Sequence, residues 1–285
     1  MSHDMSAPAS PGEPTARKRS DTLVRVVSAV VLAPLAIGAV VVGGWPFVLF
    51  WAVAAIGVYW EWTSEILRAP RRHLAIGVAV LAFAGLIAGM GRPGLAVLVL
   101  IGGIAGMAYA IRERRAWCIA GLVYAGLVLA GPVVLRADPV SGVAAIFFLF
   151  AVVWATDVLA YFGGRLIGGP KLAPPISPAK TWSGSLTGAL GGVVAGVAVA
   201  LVAGVPNPLA VAWLALVLSV VSQAGDLFES AIKRRFGVKD SSRIIPGHGG
   251  LMDRLDGFLA AAGVAALVGV MRGGFDEAAR GLLVW

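Results

Sequence analysis

The sequence predicts an all-α polytopic membrane protein with about nine transmembrane helices, and three observations carry this prediction. Hydrophobic residues make up 59% of the 285 residues and only 13% are charged, whereas about 25% are charged in a typical soluble domain. Many apolar stretches reach the length of about 20 residues that a helix needs to cross a hydrocarbon core. Clusters of Gly, Pro and Arg separate these stretches. The composition therefore excludes both a soluble core and a single-pass anchor.

The elements are predicted in chain order from these apolar stretches. Residues 1–21 are polar and rich in Pro, Ser and Ala, which is typical of a disordered tail, so we expect 22–285 to form one transmembrane domain. The apolar run 26–42 is long for a signal-peptide core and lacks a cleavage site, which indicates a retained first helix. The predicted spans are 24–43, 46–66, 74–90, 94–111, 116–135, 140–163, 184–204, 209–229 and 256–271.

The separators between the spans carry the charge that sets the orientation. Two of them, 164–183 and 230–255, are long and polar. The tail and every second loop hold nineteen of the 23 Lys and Arg residues, and cationic segments stay in the cytoplasm. We therefore expect a protein of the cell (inner) membrane with its N-terminus and both long loops in the cytoplasm. The loop placement of the cations also argues against nucleic-acid binding, despite a net charge of +8.

Four carboxylates lie in or beside predicted spans, where an ionised group is costly. Glu61 stands between two tryptophans near a helix end, which favours a structural position at the membrane surface. Asp157 lies deeper and needs a partner, and the hydroxyl of Tyr161 at i+4 is a candidate. Asp226 and Glu229 interrupt the end of the eighth span. Their position inside an apolar stretch indicates a functional site.

The stretch 226–256 is the densest in polar residues. Asp226 with Glu229, and Asp253 with Asp256, are i,i+3 pairs, so each pair shares one helix face. If the two faces converge, their oxygens suit Mg²⁺, which keeps waters and accepts phosphate oxygens as further ligands. The alternative is a solvated loop whose aspartates favour the positive end of the ninth helix.

Two loop segments could hold phosphate groups. The turn that contains His248, Gly249 and Gly250 can present backbone N–H groups to an oxyanion, although the tetrad alone fits an ordinary turn equally well. In the sixth loop, Ser177, Lys180 and Thr181 precede the seventh helix and form a candidate phosphate grip. An interfacial loop beside Trp182 explains the same residues.

The chain reads SAIKRRFGVKDSSRIIPGHGGLMDRLD from Ser230 to Asp256. This stretch resembles the signature of the phosphatidate cytidylyltransferases, also called CDP-diacylglycerol synthases. The matching positions are Ser230, Ile232, Lys233, Arg234, Lys239, Asp240, Ser242, Ile245, Pro246, His248, Gly249, Gly250, Leu251, Asp253, Arg254, Leu255 and Asp256. Residues 225–230, Asp157 to Tyr161 and 177–182 are also similar to the family, but Ser183 stands where the family has Glu. The resemblance is strong over about 150–260, which we expect to be the catalytic half.

The resemblance implies that CTP and phosphatidic acid react to give CDP-diacylglycerol and pyrophosphate, with Mg²⁺ as cofactor, on a polytopic helical scaffold that forms a homodimer among membrane lipids. A second cation is left open. The implied catalytic residues are Asp226, Lys239, Asp240, His248, Asp253, Arg254 and Asp256, and the metal ligands among them are Asp226, Asp253 and Asp256. The implied substrate-binding residues are Asp157, Tyr161, Ser177, Lys180, Thr181, Lys233, Arg234, Gly249 and Gly250.

Three other functions compete with this interpretation. A cytidylyltransferase for a different lipid phosphate, such as an isoprenoid-ether one, would show the same motif, because the motif meets phosphates rather than lipid tails. A transporter could also use intramembrane carboxylates, but the chain has no repeated halves. A CDP-alcohol phosphotransferase is aspartate-rich too, and its spaced Gly and Asp pattern is not present.

Overall fold

The computed structural model describes residues 31–242, 244–245 and 249–285. Helices contain 78% of the residues, which confirms the prediction of an all-α polytopic protein. The predicted tail, 1–21, and the start of the first predicted span lie outside the described residues. The elements are α1 (Val31–Val42), α2 (Gly44–Trp60) with a π-helical continuation (Glu61–Ile66), α3 (Arg71–Gly89), α4 (Pro93–Ala110), α5 (Arg115–Arg136), α6 (Gly142–Leu166), β1 (Lys171–Ala173), β2 (Ser177–Thr181), α7 (Trp182–Val202), α8 (Pro208–Arg235), α9 (Met252–Gly273) and α10 (Ala278–Leu283).

Eight of the described helices, α2 to α9, are long and apolar enough to cross a membrane. Their outer faces are apolar as well, because only 22% of the most apolar stretch of α4 and 28% of that of α7 are buried. Leu98 on α4 and Leu190 on α7 are examples of large exposed side chains. Such faces suit lipid rather than water. The total of about nine spans stays a prediction, since α1 is described only from residue 31.

The centre of the bundle is formed by α5, which packs against both α2 and α9. Leu122, Ala125 and Val128 of α5 are fully buried. On α2, Trp51 stacks against Phe258 of α9 with ring centroids 5.0 Å apart. Helices α2 and α5 therefore contact the helix that carries the end of the signature.

Helices α6 and α7 form the most extensive helix pair. A Cβ atom at Gly188 of α7 would lie 2.7 Å from the carbonyl oxygen of Thr156 on α6. Only a glycine permits this approach, and small residues at helix interfaces are typical of membrane bundles.

The structure differs from the predicted elements in four places. Helix α8 continues to Arg235 instead of ending near 229, and α9 begins at Met252 instead of 256. Hydropathy falls at the first charges, but the cations in the last turn of α8 are favourable at a helix C-terminus, so the helix continues. The sixth loop contains the antiparallel hairpin β1–β2, and the short helix α10 follows α9. Neither was predicted.

Candidate active site

A cavity of about 610 Å³ lies where α6, the hairpin, α8 and α9 meet. Polar residues from all four elements line it, and none of these elements could form it alone. The lining residues that carry charge are Asp157, Arg165, Lys180, Asp226, Glu229, Lys233, Asp240, Asp253, Arg254 and Asp256.

Three carboxylates form a compact group in this cavity. Each of Asp226, Glu229 and Asp256 offers one oxygen, and these oxygens lie within 4.8 Å of one another. Asp226 and Glu229 share a face of α8 because they are three residues apart. Asp256 comes from the second turn of α9. We call these three residues the carboxylate group.

Close packing of α8 on α9 brings the carboxylate group together. A Cβ atom at Gly225 would lie 2.7 Å from both the Asp256 carbonyl oxygen and the Ala260 Cβ. On the facing helix, a Cβ atom at Gly257 would lie 2.7 Å from Ser222 Oγ. Because each glycine directly adjoins an aspartate of the group, the contact between the backbones sets the distance between the two aspartates.

The carboxylate group differs from the predicted metal ligands at one position, since Glu229 belongs to it and Asp253 does not. Asp253 instead turns towards the preceding loop. Its Oδ2 accepts hydrogen bonds from Ser241 N at 3.0 Å, Ser241 Oγ at 2.9 Å and Gly250 N at 2.8 Å. The reason is the early start of α9, which places Asp253 in the first turn, beside the loop that enters the helix.

Two lysines lie directly on these carboxylates. Lys180 forms an ion pair with Asp226. Lys233 Nζ lies 2.7 Å from Glu229 Oε2 and 2.6 Å from Asp253 Oδ1, so it joins the carboxylate group to Asp253. The extension of α8 places Lys233 one turn after Glu229. These contacts neutralise part of the negative charge of the cavity.

The hairpin explains how the sixth loop reaches the cavity. Strand β2 pairs with β1 from Lys171 opposite Thr181 to Ala173 opposite Ser177, which brings Lys180 to α8. Thr181 Oγ1 caps α7 by accepting from Gly184 N at 3.1 Å. Ser183, where the family has Glu, shares a hydrogen bond of 3.0 Å with Thr181 Oγ1 and donates another to the Gly168 carbonyl.

Asp157 and Tyr161 of α6 both line the cavity. The described residues show no hydrogen bond between their side chains, and Tyr161 Oη instead accepts one from Arg165 Nη1 at 2.8 Å. Asp157 and Arg165 are each four positions from Tyr161, and the hydroxyl bonds to Arg165, on the following turn.

Most of the other predicted site residues lie around the cavity rather than in its lining. Arg234 Nε donates to the Ile176 carbonyl at 3.3 Å, which ties the hairpin to α8 beside Ser177. Lys239 lines a neighbouring cavity, and Asp240 lines both. Gly249 has φ 84°, a conformation that favours glycine. His248 lies outside the described residues.

Sequence reasoning missed two polar residues near the site, Gln223 and Ser185, and it mispredicted the surroundings of Glu61. Gln223 precedes Asp226 by three positions on the same face of α8, and its Oε1 accepts from Ser185 Oγ at 2.5 Å. The i,i+3 spacing was a usable signal for Gln223. Glu61 was expected to extend to the membrane surface as an exposed carboxylate, but its side chain is fully buried and contacts the loop before α9. No local pattern reveals a contact between residues 190 positions apart.

Known proteins are similar to this chain over most of its length. The model of the cytidylyltransferase family matches residues 23–271. A phosphatidate cytidylyltransferase of Brucella abortus biovar 1 (strain 9-941) is 42% identical over 257 residues, which cover 88% of this chain and 94% of the relative. Proteins of the same name from Rickettsia bellii and Staphylococcus saprophyticus are 34% and 43% identical over 59% and 50% of this chain, and over 75% and 55% of their own lengths. The resemblance seen in the signature is thus confirmed, and the chain belongs to the cytidylyltransferase family.

Proposed function

We propose that this membrane protein transfers CMP from CTP to phosphatidic acid and so produces CDP-diacylglycerol and pyrophosphate for phospholipid synthesis. The main support for this proposal is the cavity in which Lys180 and Lys233 contact the carboxylate group at the end of apolar, lipid-facing helices. CTP is a water-soluble polyanion and phosphatidic acid is a membrane lipid, so the two can meet only where the membrane borders water. The family and the names of its relatives support the same reaction.

In this reaction, an oxygen of the lipid phosphate attacks the α-phosphorus of CTP. A new P–O bond forms, the bond to the β-phosphate breaks, and pyrophosphate leaves with that electron pair. No general base is needed, because a phosphate monoester is already ionised at neutral pH. The protein therefore has to position two polyanions and neutralise their charge. Lys180, Lys233 and Arg254 line the cavity and are the cations placed for this role.

The carboxylate group fits a divalent cation. Its three residues offer only oxygens, which Mg²⁺ prefers. Oε1 of buried Glu229 has no hydrogen-bond partner among the described residues, and Oε2 contacts Lys233 in an ion pair. We propose that Asp226, Glu229 and Asp256 hold Mg²⁺, which when bound would neutralise charge on the CTP phosphates. The lysines hold the remaining phosphate charge, and Asp253 orients Lys233.

The remaining assignments stay predictions from the resemblance. They concern Lys239, Asp240 and His248 as catalytic residues, a second cation, and a homodimer. The substrate-binding roles of Asp157, Tyr161, Ser177, Thr181, Arg234, Gly249 and Gly250 have the same standing.

A coupled assay with purified protein in detergent tests the proposed function. We expect pyrophosphate and CDP-diacylglycerol to form in equal amounts from CTP, Mg²⁺ and phosphatidic acid. Diacylglycerol, which lacks the phosphate, is the matched control lipid and should give neither product. Pyrophosphate release without a lipid phosphate would contradict the proposal, and so would the absence of turnover.

A panel of lipid phosphates separates the two closest alternatives. Phosphatidic acid should be used faster than an isoprenoid-ether lipid phosphate at equal mole fraction in the micelle. The reverse order would assign the chain to a different lipid phosphate while retaining the cytidylyl transfer. A transporter would bind substrates without releasing pyrophosphate.

A further inference from the structure

Glu61 is a fully buried carboxylate at the end of α2, far along the chain from the signature. It is the first residue of the π-helical segment Glu61–Ile66, and such segments recur at functional sites. The next residue, Trp62, is also fully buried, and its Nε1 donates to the Trp117 carbonyl at 2.9 Å. The position of Glu61 is therefore fixed by packing against α5.

Both oxygens of Glu61 accept hydrogen bonds from donors within residues 241–242 and 250–252. We refer to these residues together as the turn before α9. Oε1 accepts from Ser242 Oγ at 2.6 Å and from Leu251 N at 2.7 Å. Oε2 accepts from Met252 N at 2.7 Å and from Ser241 Oγ at 3.1 Å. Among the described residues, no cation forms an ion pair with Glu61, so these four donors and the positive end of α9 stabilise its charge.

Glu61 performs a role at α9 that the helix does not supply for itself. The residue before the first turn, Leu251, has no side-chain capping group, and the first N–H groups of a helix need acceptors. Gly250 allows the carboxylate to approach, since a Cβ atom there would lie 2.6 Å from Glu61 Oε1. A residue of the N-terminal half thus caps the helix that carries Asp253 and Asp256.

A chain of contacts leads from Glu61 to the carboxylate group. Ser241 Oγ lies within hydrogen-bond distance of both Glu61 and Asp253. Asp253 holds Lys233, and Lys233 contacts Glu229. A shift of the turn at Glu61 would therefore displace Lys233 and the start of α9 together.

We propose that Glu61 is a positioning residue of the active site, which holds residues 241–242 and 250–252 so that α9 and Lys233 present their charged groups to the substrates. This role rests on the proposed cytidylyl transfer for its kinetic consequence, but the contact itself does not.

The variant Glu61→Gln tests this role with almost no change in volume. A glutamine offers one acceptor oxygen, and its amide group would face backbone donors that have lost their acceptor. We expect kcat to fall roughly 10- to 100-fold, while KM for CTP changes less than about threefold, because the groups are misaligned rather than removed. Glu113→Gln is the control, since Glu113 is an exposed carboxylate that lines neither cavity and should retain wild-type kinetics.

Hydrogen exchange of the full chain in detergent supplies a readout that needs no substrate. In Glu61→Gln, the amides of Leu251 and Met252 should exchange at least about tenfold faster, while those of α3 and α4 keep their wild-type rates. The milder variant Ser242→Ala removes one hydrogen bond to Glu61 and should lower kcat less. The double variant should be scarcely slower than Glu61→Gln, because the two residues act through one contact.

Wild-type kcat in folded Glu61→Gln would overturn the proposal. Faster exchange spread evenly over all helices would also overturn it, because it would indicate a role in stability alone. Losses that multiply in the double variant would do the same. An inactive wild-type protein would instead contradict the proposed function, and the exchange at Leu251 and Met252 would still decide whether Glu61 holds the turn.

Discussion

Asp226 and Asp256 are 30 positions apart in the chain but belong to one group of ligand oxygens. The sequence indicated Asp226 because a carboxylate in an apolar span has few uses other than binding a cation or a substrate, and it indicated Asp256 through its i,i+3 pairing and the resemblance to the family signature. It did not distinguish Glu229 from Asp253. Both obey the i,i+3 rule, and the choice depends on which residue faces the preceding loop. That direction follows from the first turn of α9, whose start could not be located from hydropathy.

Substitutions in the carboxylate group should weaken Mg²⁺ binding as well as remove a negative charge from the cavity. Asp226→Asn and Asp256→Asn should each lower kcat/KM by about 100-fold or more, because the group neutralises phosphate charge through the metal. The double variant should be scarcely worse than the worse single variant, since the ligands act as a unit. A rising Mg²⁺ concentration should partly restore kcat/KM in the single variants.

Two other aspartates serve as comparisons for this experiment. Asp276→Asn changes an exposed residue before α10 and should leave the kinetics unchanged. Asp253→Asn removes an acceptor of hydrogen bonds from the loop, so the decrease in kcat/KM should persist at high Mg²⁺. Small losses that add, with no response to Mg²⁺, would contradict the metal site.

Lys180 offers a second test at the scale of one residue. Lys180→Ala should lower kcat/KM by roughly 10- to 150-fold, because a charge-assisted contact to phosphate is worth about 1.5–3 kcal/mol. Lys171→Ala is the matched control on the opposite strand, where the side chain is exposed and does not line the cavity. Equal kinetics in the two variants would place the hairpin outside the active site.

At the scale of elements, the distance between α8 and α9 depends on Gly225. Gly225→Ala would place a methyl group 2.7 Å from the Asp256 carbonyl and the Ala260 Cβ, and backbone cannot yield as a flexible side chain does. We expect a destabilisation of about 1–3 kcal/mol and a weaker apparent affinity for Mg²⁺. Thermal unfolding in detergent and activity at varied Mg²⁺ measure the two effects.

Gly102→Ala provides the control for this substitution. A Cβ atom there meets nothing within 4 Å, and alanine favours the helix by up to about 1 kcal/mol. This variant should be at least as stable as the wild type. A Gly225→Ala protein with unchanged stability and Mg²⁺ response would show that the helices can separate without harm to the group.

Most elements were predictable because apolar length alone identifies a membrane helix. The ends of α8 and α9 were not, since charged residues such as Lys233 and Asp253 lower the hydropathy of turns that remain helical. The hairpin was missed for another reason: its strands are three and five residues long and lie in a segment rich in Pro and Gly.

For the whole molecule, the orientation in the membrane is the main proposal still to be tested. In a Cys118→Ala background, a cysteine placed at Arg72 or Arg112 should be protected from a membrane-impermeant thiol reagent in intact cells, because cationic loops remain in the cytoplasm. A cysteine placed at Pro139 or Asp276, at the opposite helix ends, should be labelled. All four residues are exposed, so burial would not explain a difference. Labelling of Arg72 from outside would reverse the orientation.

The contact of Glu61 with the turn before α9 also limits how freely parts of this protein can be exchanged with parts of its relatives. The matches to the Rickettsia bellii and Staphylococcus saprophyticus proteins cover 59% and 50% of the chain. A chimaera joined between the halves would inherit the carboxylate from one parent and its four donors from the other. Its success should depend on whether these five partners match, more than on the average identity of the parents. A functional chimaera should therefore take Glu61 and the four groups that donate to it from the same parent.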